Sequence, residues 1–494
     1  MIIDFTQYPL KPNSLDACHQ VIDELWNEII RLKGEQNQTS QALENAQEKL
    51  NTNSHNSSKP PSQDINASKK KKSRRYPKSR KKTVLKQGAQ QGHKGKGRHL
   101  LPSEQVDDVV VCLPPTHCEC GDVIQAKSTK KKRHQVHELP VVKPIVTEYQ
   151  QVFGQCSGCG KHHFGALPVG IPSGMLGLRA LATVGTFTGK YHLSKRETQA
   201  IFSDHYDLDV SLGTISNAEK IVSEALKQPT EEILDYVQNT DVKHADETGH
   251  KQKGKKMWMW VGVALLVAVF LIRSSRSSRV AKTLLGESFY GILISDRYSS
   301  YTWIDDSQRQ LCWAHLLRDF IKISERSGQS GQIGEQLLSY SKRMFRLWWR
   351  LRDGLLSREK FINAMKRIQE GIEETLAAGG QCGHKKTEGT CKRILKHKTS
   401  LWTFVSHKDV EPTNNVAEQV IRSYVLWRKT SFGTQSERGD RYVERMMTVT
   451  TCCRLQNKNL PDYLTQAIQA YIAKQPHLSL IPSDEVLLNE KMAA

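Results

Sequence analysis

The strongest constraint on this chain lies in residues 241–320, where apolar runs short enough to be strands are interrupted by a helical pattern. Val242 to Asp246 reads as a short strand, and Trp258 to Ala264 and Val267 to Arg273 as two more. Val280 to Leu285 reads as a short helix, Gly291 to Ser295 as a buried strand, and Gln310 to Ala314 as a last strand running into a helix. The apolar stretch from Met257 to Ile272 is shorter than the roughly 20 residues a membrane span needs, and it is rich in Val and Trp. Two consecutive buried strands explain it, although Leu265-Leu266 between them is not turn chemistry.

Three strands, a helix, a strand, a helix and a strand is the order of an RNase H-like core. The expected fold class is therefore α/β, with an RNase H-like catalytic domain over 241–455 and a charged helical insertion at about 321–400. Three acids sit where such a core would use them. Asp246 ends the first strand, Asp296 follows the fourth, and Glu418 lies in Thr-Asn-Asn-Val-Ala-Glu, at the start of a helical pattern. Singly, each has a simpler explanation. Asp246 could be a turn residue, Asp296 a helix cap, and Glu418 the far member of a capping box with Asn415. Together, in this order, they suit phosphodiester chemistry, which two divalent metals about 3.5–4 Å apart can drive. Mg²⁺ (or Mn²⁺) prefers oxygen ligands, so carboxylates must be gathered to hold it. Arg422 shares a helix face with Glu418, and with Arg428 and Lys429 it could meet DNA phosphate beside the metals. An ordinary exposed basic face is the plain alternative.

The chain before this core is built in pieces. Residues 15–50 follow a heptad, with Leu15, Ile22, Ile29, Gln36, Leu43 and Leu50 at a, and Cys18, Leu25, Leu32, Thr39 and Ala46 at d. This predicts a coiled coil, weak around Gln36 and Thr39, and a homo-oligomer. Residues 51–105 form a basic linker rich in Pro, Ser and Gly. From Ile65 to Ser103 it holds fourteen Lys or Arg and no acid, within a chain of formal net charge +21. Such a block suits a polyanion partner, because each neutralised phosphate releases counterions.

Residues 106–165 form an expected zinc-binding module, with strands at Val109–Leu113 and Ile145–Phe153. Cys118, Cys120, Cys156 and Cys159 are the expected structural Zn²⁺ ligands, with His117 as the alternative to Cys118. Residues 174–230 read as helical, either a DNA-binding helix-turn-helix or a plain helical subdomain. Residues 456–494 read as a C-terminal helix and a loose tail. The N-terminus carries no secretory pattern and the cysteines suggest metal ligation, so a reducing cytosol is expected and no membrane.

These motifs, taken in order, resemble the transposases of the insertion sequence 66 family. The residues carrying the likeness are Asn56-Ser-Ser-Lys-Pro-Pro-Ser62, Gly88-Ala-Gln-Gln-Gly-His-Lys-Gly95, Ala245-Asp-Glu-Thr248, Ser295-Asp-Arg-Tyr298, Cys312-Trp-Ala-His-Leu316, Asn414-Asn-Val-Ala-Glu418 and Arg428-Lys429. The resemblance implies Asp246, Asp296 and Glu418 as catalytic acids, a Cys-x-x-His pair at Cys312 and His315, and metal-dependent cleavage and strand transfer of the family's own element. It implies DNA partners (element terminal repeats and target DNA), small accessory proteins from the same element, and a bacterial cytoplasm beside the nucleoid. His315 could support the active site or contact DNA, while Cys312 at a buried strand end suits core packing. A catalytically inactive, DNA-binding descendant of a transposase is the alternative function. A cellular nuclease fits the core but not the basic N-terminal half.

Overall fold

The computed structural model describes residues 14–54, 56–57, 100–125 and 132–487. The chain divides into two compact units. One comprises Met1–Ala67, Thr147–Ala200 and Asp209–Ala494; the other comprises Ser68–Val146 and Ile201–Leu208. Most of the basic tract, including Gly88–Gly95, lies outside the described residues.

The N-terminal heptad is one uninterrupted helix, α1 (Leu15–Asn51), with Ser14 accepting the Ala17 N–H as N-cap. The weak middle at Gln36 does not break it. Its apolar a and d residues Leu15, Ile22, Leu25, Ile29, Leu32, Leu43 and Leu50 are exposed. Near its C-terminal end, Glu48 pairs with Arg326 at 3.1 Å and Lys386 at 2.5 Å.

The expected strands at 109–113 and 145–153 do not form. Among the described residues of this segment, pairing is confined to an isolated bridge, His117 with Val123, and a three-residue hairpin, β1 (Phe153–Gln155) with β2 (His162–Phe164). Val109, Val110, Val111, Ile145 and Val146 are exposed. Apolar β-branched runs marked strands, but neither run has a partner ladder among the described residues. Helices α2 (Leu178–Gly185), α3 (Lys195–Tyr206), α4 (Leu212–Ala225) and α5 (Lys227–Asn239) follow. Ser211 caps α4 by accepting from the Thr214 N–H, as its position just ahead of the helical pattern suggests.

The central sheet contains β3 (Val242–Gln252), β4 (Lys255–Ala264), β5 (Val267–Arg273), β6 (Ile292–Ser295) and β7 (Arg309–Leu311), in the order β5-β4-β3-β6-β7. The first three strands are antiparallel neighbours, and β6 and β7 run parallel to β3. Helix α6 (Ser278–Leu285) makes the crossover from β5 to β6. The unmarked β4–β5 turn is made with Leu266 at φ 62°, a left-handed conformation unusual for a branched side chain. Two expectations fail here. β3 does not end at Asp246 but runs on to Gln252, because Asp246–Gln252 pair with Lys255–Val261 in a hairpin. The helix expected between β6 and β7 is replaced by two short 3₁₀ turns, Ser299–Tyr301 and Asp306–Gln308.

After β7 come α7 (Trp313–Ser324) and the helical insertion: α8 (Gly328–Arg352), α9 (Arg358–Gly379), α10 (Lys385–Lys396) and the short α11 (Thr403–Ser406). Together they bury a core containing Trp313, Phe320, Leu337, Phe361, Leu376 and Phe404. The insertion is tied back to the sheet edge. Gln310 on β7 donates to the Leu401 carbonyl and accepts from the Phe404 N–H, and Thr403 donates to the Arg309 carbonyl. The chain is thereby returned to the strand ends before α12 (Asn415–Ser431), α13 (Glu437–Leu455) and α14 (Leu460–Ile472).

Alternation along β4 sends Met259, Val261 and Val263 into a core shared with Val420, Tyr424 and Trp427 of α12 and Val443 and Met447 of α13. On the other face, Gly262 lies close to Leu284 of α6 and Val237 of α5. The sheet is thus covered on both sides. Its β5 edge is closed by α13, whose Glu444, Thr448 and Cys452 accept the N–H groups of Ile272, Phe270 and Ala268. The C-terminal tail is only partly loose: Leu480 is fully buried, and Tyr463 and Gln456 donate to the Leu478 and Leu480 carbonyls. No helix among the described residues is long and apolar enough to cross a membrane.

Candidate active site

Parallel pairing of β3 with β6 sets His244 opposite Ile294. Two residues further along stand Asp246, still within β3, and Asp296, just past the end of β6. The Asp246 carboxylate accepts the Glu247 N–H at 2.9 Å, and Asp296 accepts the Tyr298 N–H at 2.9 Å. Glu418 arrives from the first turn of α12. Asp246 feels the charge of both other acids. Burial first, then the charges of Glu247 and Asp296 and more weakly Glu418, push the Asp246 carboxyl up to about 8.

Asn414 brings helix and sheet together. It is almost fully buried. Its side-chain amide donates to the Ala245 carbonyl at 2.8 Å, and its amide oxygen lies 3.0 Å from His244 Nδ1. Its backbone N–H reaches Cys312 Sγ at 3.1 Å, and its carbonyl accepts the Glu418 N–H at 3.2 Å. One residue therefore pins the strand next to Asp246, the end of β7 and the turn carrying Glu418. The alternative for Glu418, a capping box with Asn415, is not made: Asn414 is the N-cap, and its side chain makes no cap hydrogen bond because it is committed to β3.

Glu247 was read from the sequence only as part of a motif. It faces a buried cage: Arg276 pairs with it, and Tyr301 donates to it at 2.5 Å. Burial and the charge of Asp296 raise its carboxyl, and the bonds from Tyr301 and Arg276 oppose that. Arg276 in turn stacks on the Tyr298 ring at 3.5 Å. Glu247 and Asn414 lie in the motifs Ala245–Thr248 and Asn414–Glu418, but burial alone gives them meaning.

His315 lies in the first turn of α7, with Nδ1 3.7 Å from Glu418 Oε1, and Arg318 lies 4.0 Å from Glu418 Oε2. Burial and the neighbouring Arg318 lower the His315 imidazole, which favours its neutral form. Cys312 is buried at the α7 N-cap, and burial raises its thiol. Among the basic residues, Arg422 and Lys429 are exposed on α12. Arg428 turns inward, donating to Thr248 Oγ1 and the Gly249 carbonyl of β3, so its cation is engaged within the fold.

Further along β3, His250 is buried between α12 and α13. Its Nδ1 lies 2.6 Å from Tyr424 Oη, and its Nε2 lies 3.0 Å from Asp440. Burial works against the Asp440 charge, but bonds from His250, Thr434 and Gln252 hold it below the usual carboxylate range. This network fixes the far end of the helix that carries Glu418. The loop between α12 and α13 docks on the strand end through Gly433. At φ 118°, this residue has its backbone against the Lys251 carbonyl, where a Cβ would collide.

The four cysteines lie in two turns, one in each compact unit. In the first, Gly121 N–H bonds to the Cys118 carbonyl, with Gly121 at φ 96°. In the second, Gly160 N–H bonds to the Cys156 carbonyl, with Gly160 at φ 71°. Backbone and thiol bonds from Cys120 lower the Cys118 thiol. Backbone bonds from Cys159 and Gly158, then the Cys159 thiol, lower Cys156. His117 instead bonds its neighbour Thr116 at 3.1 Å.

Comparison with known proteins settles the family. The model of the Transposase IS66 family matches residues 173–442, more than half of the chain, a span within which residues 246, 296 and 418 fall. The chain belongs to the IS66 transposase family. Residues 9–99 match a second model, described as a family of unknown function. Two uncharacterized proteins of Sinorhizobium fredii are similar to this IS66 family member. y4qI is 26% identical over 271 residues, covering 48% of this chain and 49% of its own length. y4hP is 24% identical over 416 residues, covering 77% of this chain and 74% of its own. The chain thus spans about half of y4qI and about three quarters of y4hP.

Proposed function

We propose that this chain is a DNA transposase that cleaves and joins DNA at Asp246, Asp296 and Glu418 on an RNase H-like fold. The carrying observation is the Asp246 carboxyl, which burial and then the charges of Glu247, Asp296 and Glu418 push up to about 8. Like charges packed this way have a use when a cation is to be bound between them. The sheet order, with three antiparallel strands followed by two parallel ones, supports the fold assignment.

Asp246, Asp296 and Glu418 fit Mg²⁺ or Mn²⁺, since all are oxygen donors, and Glu418 Oε1 is buried without a hydrogen-bond partner. The bound ions would activate the attacking oxygen and stabilise the leaving oxygen. The chain's own residues do the rest. Asp246 gives up its proton when the site is loaded. Asn414 holds the Glu418 turn against the strand, and Glu247, clamped by Arg276 and Tyr301, fixes the backbone beside Asp246. Neutral His315 shapes the wall beside Glu418, and exposed Arg422 and Lys429 are placed to meet phosphate, with inward-turned Arg428 holding their helix on β3.

Around this centre, the basic tract supplies sequence-independent affinity for element ends and target DNA. The exposed heptad face of α1 pairs protomers so that two ends are held together. Cys118, Cys120, Cys156 and Cys159 hold a structural Zn²⁺, with residues 174–230 as a further DNA-binding segment. Accessory proteins from the same element would complete the assembly.

The test is strand transfer with labelled element-end DNA and Mg²⁺. The wild type is expected to join ends to target, and Asp296→Asn and Glu418→Gln to lose joining while still binding ends. End binding without joining by the wild type would replace this reading with the inactive, DNA-binding one.

A further inference from the structure

Glu418 faces two sets of neighbours. On one side are the aspartates of the sheet. On the other, Cys312 Sγ, His315 Nδ1 and a Glu418 oxygen all lie within 4.8 Å of one another. Tetrahedral zinc spaces its ligand atoms roughly 3.5 Å apart, given metal–ligand bonds near 2.0–2.3 Å, so small side-chain adjustments would close the set. His315 Nδ1 and Glu418 Oε1 are both buried with no hydrogen-bond partner, 3.7 Å from each other. Buried polar atoms left unpaired are costly, and two that face each other beside a thiol need a common partner.

The chemistry of the set is selective. Mg²⁺ has no use for a thiol or an imidazole, whereas zinc-class ions prefer both. Three protein ligands with a remaining open position is also the arrangement that zinc adopts where it is exchangeable or reactive, as opposed to the closed four-ligand structural sites. The scaffold is rigid at this point. Cys312 Sγ accepts the Asn414 N–H, the His315 N–H bonds the Cys312 carbonyl, and Asn414 is locked to β3.

We propose that Cys312, His315 and Glu418 form a site for a soft divalent cation of the zinc class, and that its occupancy withdraws Glu418 from the two aspartates. The binding site stands on its own geometry; the withdrawal rests on the proposed role of Glu418 in holding the catalytic ions. Zinc at this site is then an inhibitor that competes with magnesium for one carboxylate.

The metal-free full-length chain is titrated with Co²⁺, following absorption and bound metal per chain, for the wild type, His315→Ala, Glu418→Gln and Cys312→Ser, with circular dichroism confirming the fold of each. The wild type is expected to bind one more cobalt than His315→Ala or Glu418→Gln, or to bind it at least about tenfold more tightly, since even losing a residue that merely orients a ligand costs about that much. Cys312→Ser should lower the thiolate-to-cobalt band while leaving the contribution of the other cysteines. Equal stoichiometry, affinity and spectra in the wild type, His315→Ala and Glu418→Gln would overturn the site. Zn²⁺ is then added to strand-transfer reactions at fixed Mg²⁺. Inhibition that weakens about tenfold or more in His315→Ala, relative to its own uninhibited rate, supports the withdrawal. Undiminished inhibition overturns the withdrawal. A wild type that binds the extra cobalt but never joins DNA would sink the catalytic reading and leave the metal site standing.

Discussion

Replacing Asp246 by Asn should stabilise the metal-free protein, and should do so more as the pH rises. In the folded chain the Asp246 carboxyl is pushed up to about 8 by burial and then by Glu247, Asp296 and Glu418. In the unfolded chain it titrates near 4. Between these values the folded state holds a proton that the unfolded state has released, so stability falls as pH rises from about 4 to about 8 and then levels off. Asn cannot ionise and escapes this slope. From about pH 6 to about pH 9 the wild type crosses roughly two units below its folded pKa, at about 1.4 kcal/mol each. That sets an upper bound of about 3 kcal/mol on the growth of the difference. Asp246 is only half-buried by surface area, which lowers the expected figure to about 1–2 kcal/mol. The assay is chemical denaturation of both proteins in chelator at the two pH values. Mg²⁺ should then reverse the order, stabilising the wild type and leaving Asp246→Asn nearly unchanged. A stability difference that does not grow with pH, or Mg²⁺ that stabilises both proteins equally, would refute the claim that Asp246 sits in a crowded cation site.

Asn414→Ala removes buried bonds to Ala245 and His244 and should cost about 2 kcal/mol in denaturation, with strand transfer falling further than end binding; unchanged joining would show that Glu418 needs no such tie. Bound zinc, measured on purified chain, should fall by one equivalent in Cys118→Ser and in Cys156→Ser and persist in His117→Ala; the opposite pattern would make His117 the ligand.

The positions of β4, β5, β6 and α6 were legible because they are encoded locally. Runs such as Trp258–Ala264 and Val267–Ile272 hold only apolar residues, and no other element buries both faces of a short segment. Errors fall where a partner decides. Asp-Glu-Thr-Gly-His-Lys is poor strand sequence, yet it is strand because β4 folds back along it. Val109–Val111 is good strand sequence, yet it is not strand, because no ladder partner lies alongside among the described residues. The acids were legible through order and motif. Glu247 and Asn414 were not assigned roles, since a polar residue in a motif looks the same whether it faces water or a buried carbonyl.

Local pattern and composition therefore determine which segments become strand, helix or basic tail, because these depend on residues a few positions apart. They also determine which acids are available for metal chemistry. Tertiary structure alone decides that the charges of residues 296 and 418 bear on the Asp246 carboxyl, that Arg428 is spent on the Gly249 carbonyl instead of facing outward, and that Glu418 stands opposite a thiol and an imidazole. Those facts arise where the register between β3 and β6 meets the docking of α12, and contacts across such distances in sequence are set by packing, which no short window of residues contains.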